Sequence, residues 1–504
     1  MGATEVLLSL TSDPELMGQE HQRPALIALA NLACEPSNLC AMAQAGTLDV
    51  SVMLLSTPAI VNSDLCELVL NLFLAFTVAG PGATDMMMQS GAPISLIHFF
   101  MTRPALEQNA ASAMQSCQHS QTATLKILCN MANCSNEAAL THIIAAGLPG
   151  LLLTVLSSDT RPFEHQLWAM RTLEACAQQQ RPDVQMSLAS SDAVDILLDY
   201  AARESVQGSE AQILALQTLV QLSAYEVATH MIVAKGLPVL HALISLPQLL
   251  GSRQQLHAVE IVAWMSSKGA AQRVTMVSSD ILGGLIALIG AISNQLAGHP
   301  VLSPALLALN NLSLEEESRV HLVEAGVLPP LAKVIVFECP GTDFQEQALR
   351  LVSTLAMLEL PEVHEAFVHS GVLASVNAVL VHYSNASSIQ SQNAHILRQS
   401  ALEISVNMSA AAGKTALAMV EHGSLEALIS VAVNVFETRD PSQAKNEQQQ
   451  HHLYAIKALK NLSCEPSVAP HMQSSGANKL LASLENDLPD LMAHLEQSLA
   501  ALAV

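Results

Sequence analysis

The sequence is poor in aromatic and in charged residues. Phe, Trp and Tyr make up 3% of its 504 residues and Asp, Glu, Lys and Arg make up 13%, whereas half of the residues are hydrophobic. A core of aliphatic side chains fits closely packed helices better than a β-sandwich, which is rich in β-branched and aromatic residues. The low charged fraction also excludes a disordered chain and a long coiled coil.

Basic residues are the scarcer of the charged types. There are 21 Lys and Arg against 44 Asp and Glu, so the formal net charge is −23. Binding to a nucleic-acid backbone needs clustered Lys and Arg, and this balance argues against it. A basic segment of another protein is the better electrostatic match.

Signals for disulfides, metal sites and membrane spans are also lacking. The nine cysteines are odd in number and scattered, and they are expected to be small buried side chains in a reducing compartment. Cys129 and Cys134 lack a second ligand pair at zinc spacing, which argues against a metal site there. The longest apolar stretch, 65–79, contains Glu67 and Asn71 and is too short for a membrane span, so it predicts a buried helix. We therefore expect no metal, no cofactor and no membrane span.

What the sequence does contain is an internal repeat. A small turn residue followed by an apolar helical run recurs with a period near 45, which indicates an all-α solenoid of about eleven copies in one domain, 1–504. Glycine suits the turn because a left-handed residue without Cβ carries no steric cost. The anchors are Gly2, Gly46, Gly91, Gly147, Asp192, Gly236, Asp280, Gly326, Gly371, Gly423 and Gly476. The chain begins at one anchor and ends where a third helix should finish, which fits irregular terminal copies or a piece of a longer protein.

Each copy predicts a short first helix, a second helix after the turn, and a longer third helix. The third helices share a Leu-Asn-Leu-Ser-like ending, found as ALANLAC (28–34), LVLNLFL (68–74), ILCNMAN (127–133), ALNNLSL (308–314), ISVNMSA (404–410) and ALKNLSC (458–464). With its glycine turn and this ending, the sequence resembles the armadillo repeat family over essentially the whole chain. The resemblance implies a right-handed α-solenoid whose third helices line a concave groove.

In armadillo proteins the Asn side chains of the third helices bind the backbone of an extended peptide, because an amide both donates and accepts hydrogen bonds. The resemblance assigns this role to Asn31, Asn71, Asn130, Asn311, Asn407 and Asn461. The alternative is that each Asn caps or bridges its own helix end.

The Asn series is interrupted in the middle of the chain. The same position holds Glu174, Gln221, Trp264 and Thr354. We therefore expect two separate contact regions and not one long peptide track. Trp264 is either an aromatic anchor for a partner or a packed core residue.

Two further features are candidates for binding. Glu315, Glu316 and Glu317 follow a third helix and form either a solvated turn or an acidic dock for a basic segment. Polar insertions near 102–121, 383–394 and 437–452 fall between second and third helices, and they predict solvated loops on one edge of the solenoid. These loops are either tolerated insertions or a second binding surface.

No nucleophile elbow, catalytic carboxylate pair or nucleotide-binding fingerprint is present, so we expect no enzyme. The leading hypothesis is a protein-binding scaffold of the cytoplasm, in a cytoskeletal or ciliary assembly by family analogy. An alternative is a regulator of a small GTPase, since 129–147 is reminiscent of armadillo-class dissociation stimulators. A nuclear transport adaptor is disfavoured because the repeated Trp–Asn array of such adaptors is missing.

Overall fold

The structure, a computed structural model, describes residues 2–61, 63–102, 111–134, 137–179, 182–189, 192–295, 298–337, 342–384, 392–411, 413–433 and 444–487. It is all-helical, and the described residues contain no β-strand. The chain forms two compact units, Met1–Lys235 and Gly236–Val504.

The described residues form sixteen α-helices in each unit. Those of the first unit are α1 Ala3–Thr11, α2 Gln22–Ala33, α3 Pro36–Gln44, α4 Thr47–Leu55, α5 Pro58–Val61, α6 Leu65–Val78, α7 Pro81–Gln89, α8 Ala92–Thr102, α9 Ala111–Cys134, α10 Glu137–Ala145, α11 Leu148–Ser157, α12 Phe163–Gln178, α13 Pro182–Ala189, α14 Ala193–Ala202, α15 Glu210–Leu222 and α16 Glu226–Met231. Those of the second unit are α17 Leu237–Ser245, α18 Arg253–Ser266, α19 Ala270–Val277, α20 Ile281–Gln295, α21 Leu302–Leu312, α22 Glu316–Glu324, α23 Leu328–Phe337, α24 Asp343–Ala356, α25 Pro361–His369, α26 Val372–Ser384, α27 Gln392–Ala410, α28 Lys414–Glu421, α29 Ser424–Val433, α30 Ala444–Ser463, α31 Ala469–Ser474 and α32 Ala477–Asp487.

Equivalent helices of successive copies pack side by side within each unit. In the first unit the third helices α2, α6, α9, α12 and α15 contact one another in sequence order, and so do the second helices α4, α8, α11 and α14. In the second unit the same holds for α18, α21, α24, α27 and α30, and for α17, α20, α23, α26 and α29. This stacking of amphipathic helices on their neighbours is consistent with an α-solenoid.

The glycine turns have the left-handed conformation that the sequence predicts. Seven of the anchors have φ between 76° and 96°: Gly46, Gly91, Gly147, Gly326, Gly371, Gly423 and Gly476. A Cβ at Gly147 would meet no atom within 4 Å. The turn therefore selects glycine for its backbone conformation and not for lack of space.

Two glycine anchors depart from this prediction, and the first, Gly2, has an extended backbone with φ −75°. Gly236 has φ −86°, in the right-handed region, and ends a π-helical segment, Ile232–Gly236. Here the chain runs helically from Glu226 to Ser245 without the sharp turn of the other copies. A π-helical segment takes the place of the turn. The presence of a glycine alone does not predict this difference.

The prediction of three solvated loops is wrong where the structure describes them. Residues 111–121 belong to α9, 392–394 to α27 and 444–452 to α30, while 103–110, 385–391 and 437–443 lie outside the described residues. Cys117, His451 and His452 are buried. Gln and Ala are good helix formers, so the polar stretches extend the third helices and pack on their neighbours.

The expectation of buried cysteines is only partly correct. Cys66, Cys117, Cys129 and Cys176 are buried, as predicted. Cys34, Cys40 and Cys464 are exposed. Cys34 and Cys464 follow the Asn-Leu signature at the end of a third helix, where the chain turns at the surface and no neighbouring helix covers them.

A buried glutamine fastens the connection before several third helices. The Gln255 side chain donates from Nε2 to the carbonyl of Ile244 at 2.8 Å and accepts from the N–H of Gly251 at 2.9 Å. Gln212 makes the same two contacts with Ala201 and Gly208, at 2.8 and 2.9 Å. We call this pair of bonds the glutamine clamp. It satisfies a carbonyl near the end of the second helix and an N–H just before the third helix, which burial would otherwise leave unpaired.

The clamp occurs at one fixed place in the third helix, nine residues before the Asn signature position. Gln22 makes both bonds, with Thr11 and Gly18, and Gln345 donates to Ile335 at 2.8 Å. Because the same position is used in both units, it marks structurally equivalent residues of the copies.

One helical stretch of the described chain, Glu226–Ser245, is long and apolar enough to cross a membrane, and counting bent helix pairs raises the number to five. Of the most apolar 18 residues in Glu226–Ser245, 44% are buried inside the protein. This does not indicate a membrane-spanning protein.

Candidate functional site

A groove of about 520 Å³ lies between the third helices α18 and α21. One face of α18 lines it with residues spaced four or so apart, and one face of α21 lines it from the other side. Its apolar residues are Leu256, Ala263, Trp264, Pro300, Pro304 and Leu307. Large apolar side chains from both helices thus line the groove.

Trp264 is not a core residue. Its side chain is 45% exposed, and Leu307 across the groove is 47% exposed. The ammonium of Lys268 lies 5.4 Å from the centre of the indole ring. The exposure excludes packing of Trp264 in the core, and its role as an aromatic anchor for a partner stays a prediction.

Polar groups at the rim of this groove are held in place by bonds within the protein. Glu260, one turn before Trp264 on α18, is 2.8 Å from Nδ1 of His257. The Asn311 amide donates to Ser266 Oγ at 3.1 Å. The groove thus combines an apolar floor with an oriented carboxylate and an oriented amide, the combination that fixes both the position and the direction of a bound segment.

A second groove, of about 920 Å³, lies where the third helices α21 and α24 end. All three glutamates of the predicted acidic dock line it, together with Glu359. Its apolar lining is Val274, Val320, Met357, Leu358 and Leu360. Met357 is 63% exposed, so the surface is mixed, acidic and apolar.

The two arginines in and beside the second groove, Arg319 and Arg273, form hydrogen bonds with other residues of the protein. Arg273 donates to Glu315 at 2.5 Å and to the carbonyl of Ser266. Arg319 donates to the carbonyl of Ser313 at 2.7 Å, at the end of α21. Glu316 and Glu317 form no ion pair with any described residue. The field in the groove is therefore negative, and a basic segment matches it.

The two grooves meet at the end of α21. Asn311 lines the first groove and Glu315, about one helical turn further on, lines the second. The structure thus brings together Trp264, Asn311 and the three glutamates from the sequence-derived candidates. The sequence did not point to Leu307 or Met357. Leu307 had a signal, since it stands four residues before Asn311 and therefore on the same helix face.

The signature asparagines divide into two groups by their hydrogen bonds. Three donate to a hydroxyl of the preceding third helix: Asn130 to Thr77, Asn311 to Ser266 and Asn461 to Ser409, each at 3.1 Å. For Asn31, Asn71 and Asn407 the described residues include no such partner. A bond to the neighbouring copy differs from both alternatives left open by the sequence. Glu174 holds this position in a copy without the asparagine. It is buried, and burial raises the pKa of its carboxyl.

We expect the bond between Asn311 and Ser266 to contribute to stability. Replacing either residue by Ala should lower the free energy of unfolding, and the double variant should show a coupling of about 1 kcal/mol. Asn407→Ala is the matched control, because Ala356 stands where the hydroxyl would be in the preceding helix. Urea unfolding of the four variants measures this. Full additivity of Asn311→Ala and Ser266→Ala would contradict it.

The other tryptophan, Trp168, lies in the first unit. The Arg171 guanidinium is 4.6 Å from the centre of the Trp168 ring, and the Lys126 ammonium is 5.3 Å from it. Arg171 also forms a bidentate ion pair with Glu210, at 2.9 and 3.0 Å. Trp168 is thus covered by the cations of its own unit, and it offers a partner less free surface than Trp264.

The described residues contain no group of three or more His, Cys, Asp or Glu side chains arranged to hold a metal ion. No family model matches the sequence, and no curated protein matches it. Among the solved structures, the chain is similar to a crystal structure described as an engineered protein from the Northeast Structural Genomics Consortium. The two are 20% identical with a TM-score of 0.60, over 92% of this chain and 99% of the other. At that identity the likeness supports the all-helical fold alone.

Proposed function

We propose that this protein is a non-enzymatic scaffold of the armadillo repeat type, with about eleven copies in a right-handed solenoid, that binds other proteins. The observation that carries the proposal is the groove around Trp264. An exposed tryptophan facing an exposed leucine across a groove of about 520 Å³ is costly to leave in water, and such a surface is typical of a binding site.

The partner we propose presents an extended segment with an apolar side chain and basic residues. The apolar side chain packs between Trp264 and Leu307, and the basic residues lie toward Glu260 and toward Glu316 and Glu317. Support comes from the net charge of −23 and from Glu316 and Glu317 in the second groove, which form no ion pair with a described residue. The other asparagines, Asn31 and Asn71 among them, remain candidates for separate contacts.

Trp264→Ala should weaken the capture of partner proteins from an extract of the native organism at least tenfold, because aromatic anchors dominate binding energy. Phe163→Ala is the control, since Phe163 is 48% exposed but lies outside the groove. Circular dichroism checks that both variants fold. Equal recovery of the same partners by Trp264→Ala and the unaltered protein would contradict the proposal.

The identity of the partners separates the functional alternatives. Recovery of cytoskeletal or ciliary proteins would support a scaffold in such an assembly, which we propose together with a cytoplasmic location. A small GTPase released by high salt would support the regulator instead, and transport receptors would support the adaptor. Mass spectrometry of material captured at low and high salt makes this distinction.

A further inference from the structure

The groove around Trp264 runs lengthwise between α18 and α21. Its lining residues recur at helical spacing on both helices, which puts each set on one face of its helix. On α18 they extend from Leu256 to Ser267, and on α21 from Ser303 to Asn311. At 1.5 Å per residue these stretches are about 16 Å and about 12 Å long. The long axis of the groove is therefore parallel to the third helices and does not cross their row.

The groove is narrow for its length. Its volume of about 520 Å³ over about 16 Å corresponds to a cross-section of roughly 30 Å², whereas an α-helix about 10 Å wide needs about 80 Å². An extended segment therefore fits between α18 and α21, and a helical segment would stay outside the groove.

The charges that follow the two helices differ in sign. The ammonium of Lys268, just after α18, lies 5.4 Å from the centre of the Trp264 ring. Three glutamates, Glu315, Glu316 and Glu317, come just after α21. Glu316 and Glu317 form no ion pair with a described residue. A basic residue of a segment in the groove is thus repelled at the end of α18 and attracted at the end of α21.

We propose that the partner carries one short motif, an apolar residue with a basic residue three to five positions away, and that this motif lies along α21 and joins the two grooves. The inference rests on the proposed function, to which it adds the course of the bound segment and the spacing of its residues.

The spacing follows from the length of α21. Its apolar contact, Leu307, stands nine residues before Glu316, and hydrogen bonds of the helical type continue to Leu314. Nine residues at 1.5 Å each correspond to about 13 Å along the helix axis. An extended segment covers this distance in about four residues at about 3.3 Å each, whereas a helical segment would need about nine.

Selection of random peptides of about fifteen residues on the immobilised full chain tests this spacing, because such peptides can hold either arrangement. We expect the selected peptides to share an apolar residue and a Lys or Arg three to five positions from it. Trp264→Ala should weaken their binding at least tenfold. The double variant Glu316→Gln/Glu317→Gln should weaken it at least fivefold, with the larger loss at low salt.

The matched control is Glu421→Gln/Glu426→Gln, which removes the same charge from two exposed positions of the same unit outside both grooves. It should bind the selected peptides as tightly as the unaltered protein does. Circular dichroism checks that all variants fold.

The outcomes separate this inference from the proposed function. If no peptide is selected, or if none loses binding with Trp264→Ala, both are contradicted. If the peptides depend on Trp264 but carry their basic residue eight or more positions away, or at no fixed distance, only the inference is wrong. The same holds if Glu316→Gln/Glu317→Gln binds the peptides as tightly as the control variant does.

Discussion

Replacing Gln255 by Leu should lower the free energy of unfolding of the protein by about 3 kcal/mol, because each buried polar group left unpaired costs roughly 1–3 kcal/mol. The substitution leaves two such groups, the carbonyl of Ile244 and the N–H of Gly251, in a place where Gln255 is 1% exposed. Leu fills nearly the same volume, so the loss reports the two hydrogen bonds and not a cavity.

Urea unfolding followed by circular dichroism measures this effect. Gln473→Leu is the control, since Gln473 is exposed on α31 and its replacement should change stability by less than about 0.5 kcal/mol. Gln212→Leu should repeat the loss in the first unit. A Gln255→Leu protein as stable as the control variant would mean that the clamp is not a stabilising element.

The protein should lose stability steeply as the pH falls below about 6. Burial lowers the pKa of His451 from 6.5 to about 3 and that of His452 from 6.5 to about 4. Between those values the unfolded chain binds protons that the folded chain does not, so stability is full above pH 6.5 and declines as the pH falls toward the folded pKa. Two such groups remove roughly 2–3 kcal/mol per pH unit in this range.

The comparison of urea midpoints between pH 7.5 and 4.5 tests this prediction. His452→Gln should make the decline shallower, because one of the two buried titrating groups is gone. His369→Gln, at an exposed position in the same unit, should leave the decline unchanged. A decline of the same slope in all three proteins would show that other groups, and not the buried histidines, determine the acid sensitivity.

The sequence predicts the fold well wherever one residue type has one physical use. Gly46 and Gly147 predict left-handed turns, because other residues rarely adopt that conformation. The apolar run of α6 likewise predicts a buried helix, and the structure has this helix. Composition misleads at 111–121 and 444–452, because the polarity of these Gln-containing stretches predicts loops, whereas the helix propensity of Gln and Ala favours helices.

The candidate site was only partly predictable. The position of Trp264 in the third helix suggested a role in binding, but its exposure depends on how α18 and α21 pack, which no local pattern encodes. The clamp did leave a trace in the sequence, a glycine four residues before a glutamine at 18 and 22, 208 and 212, and 251 and 255. This trace alone does not predict a buried clamp, because a polar glutamine at the start of a helix is usually a surface residue.

Photo-cross-linking from the Trp264 groove tests the central claim most directly. Benzoylphenylalanine in place of Leu307 reports what lies against the groove, and the same group in place of Val433, which is 45% exposed on α29, reports a remote surface. We expect irradiation in an extract of the native organism to join a protein partner to position 307, and Trp264→Ala to abolish the adduct. Adducts at position 433 with none at position 307 would contradict binding through this groove.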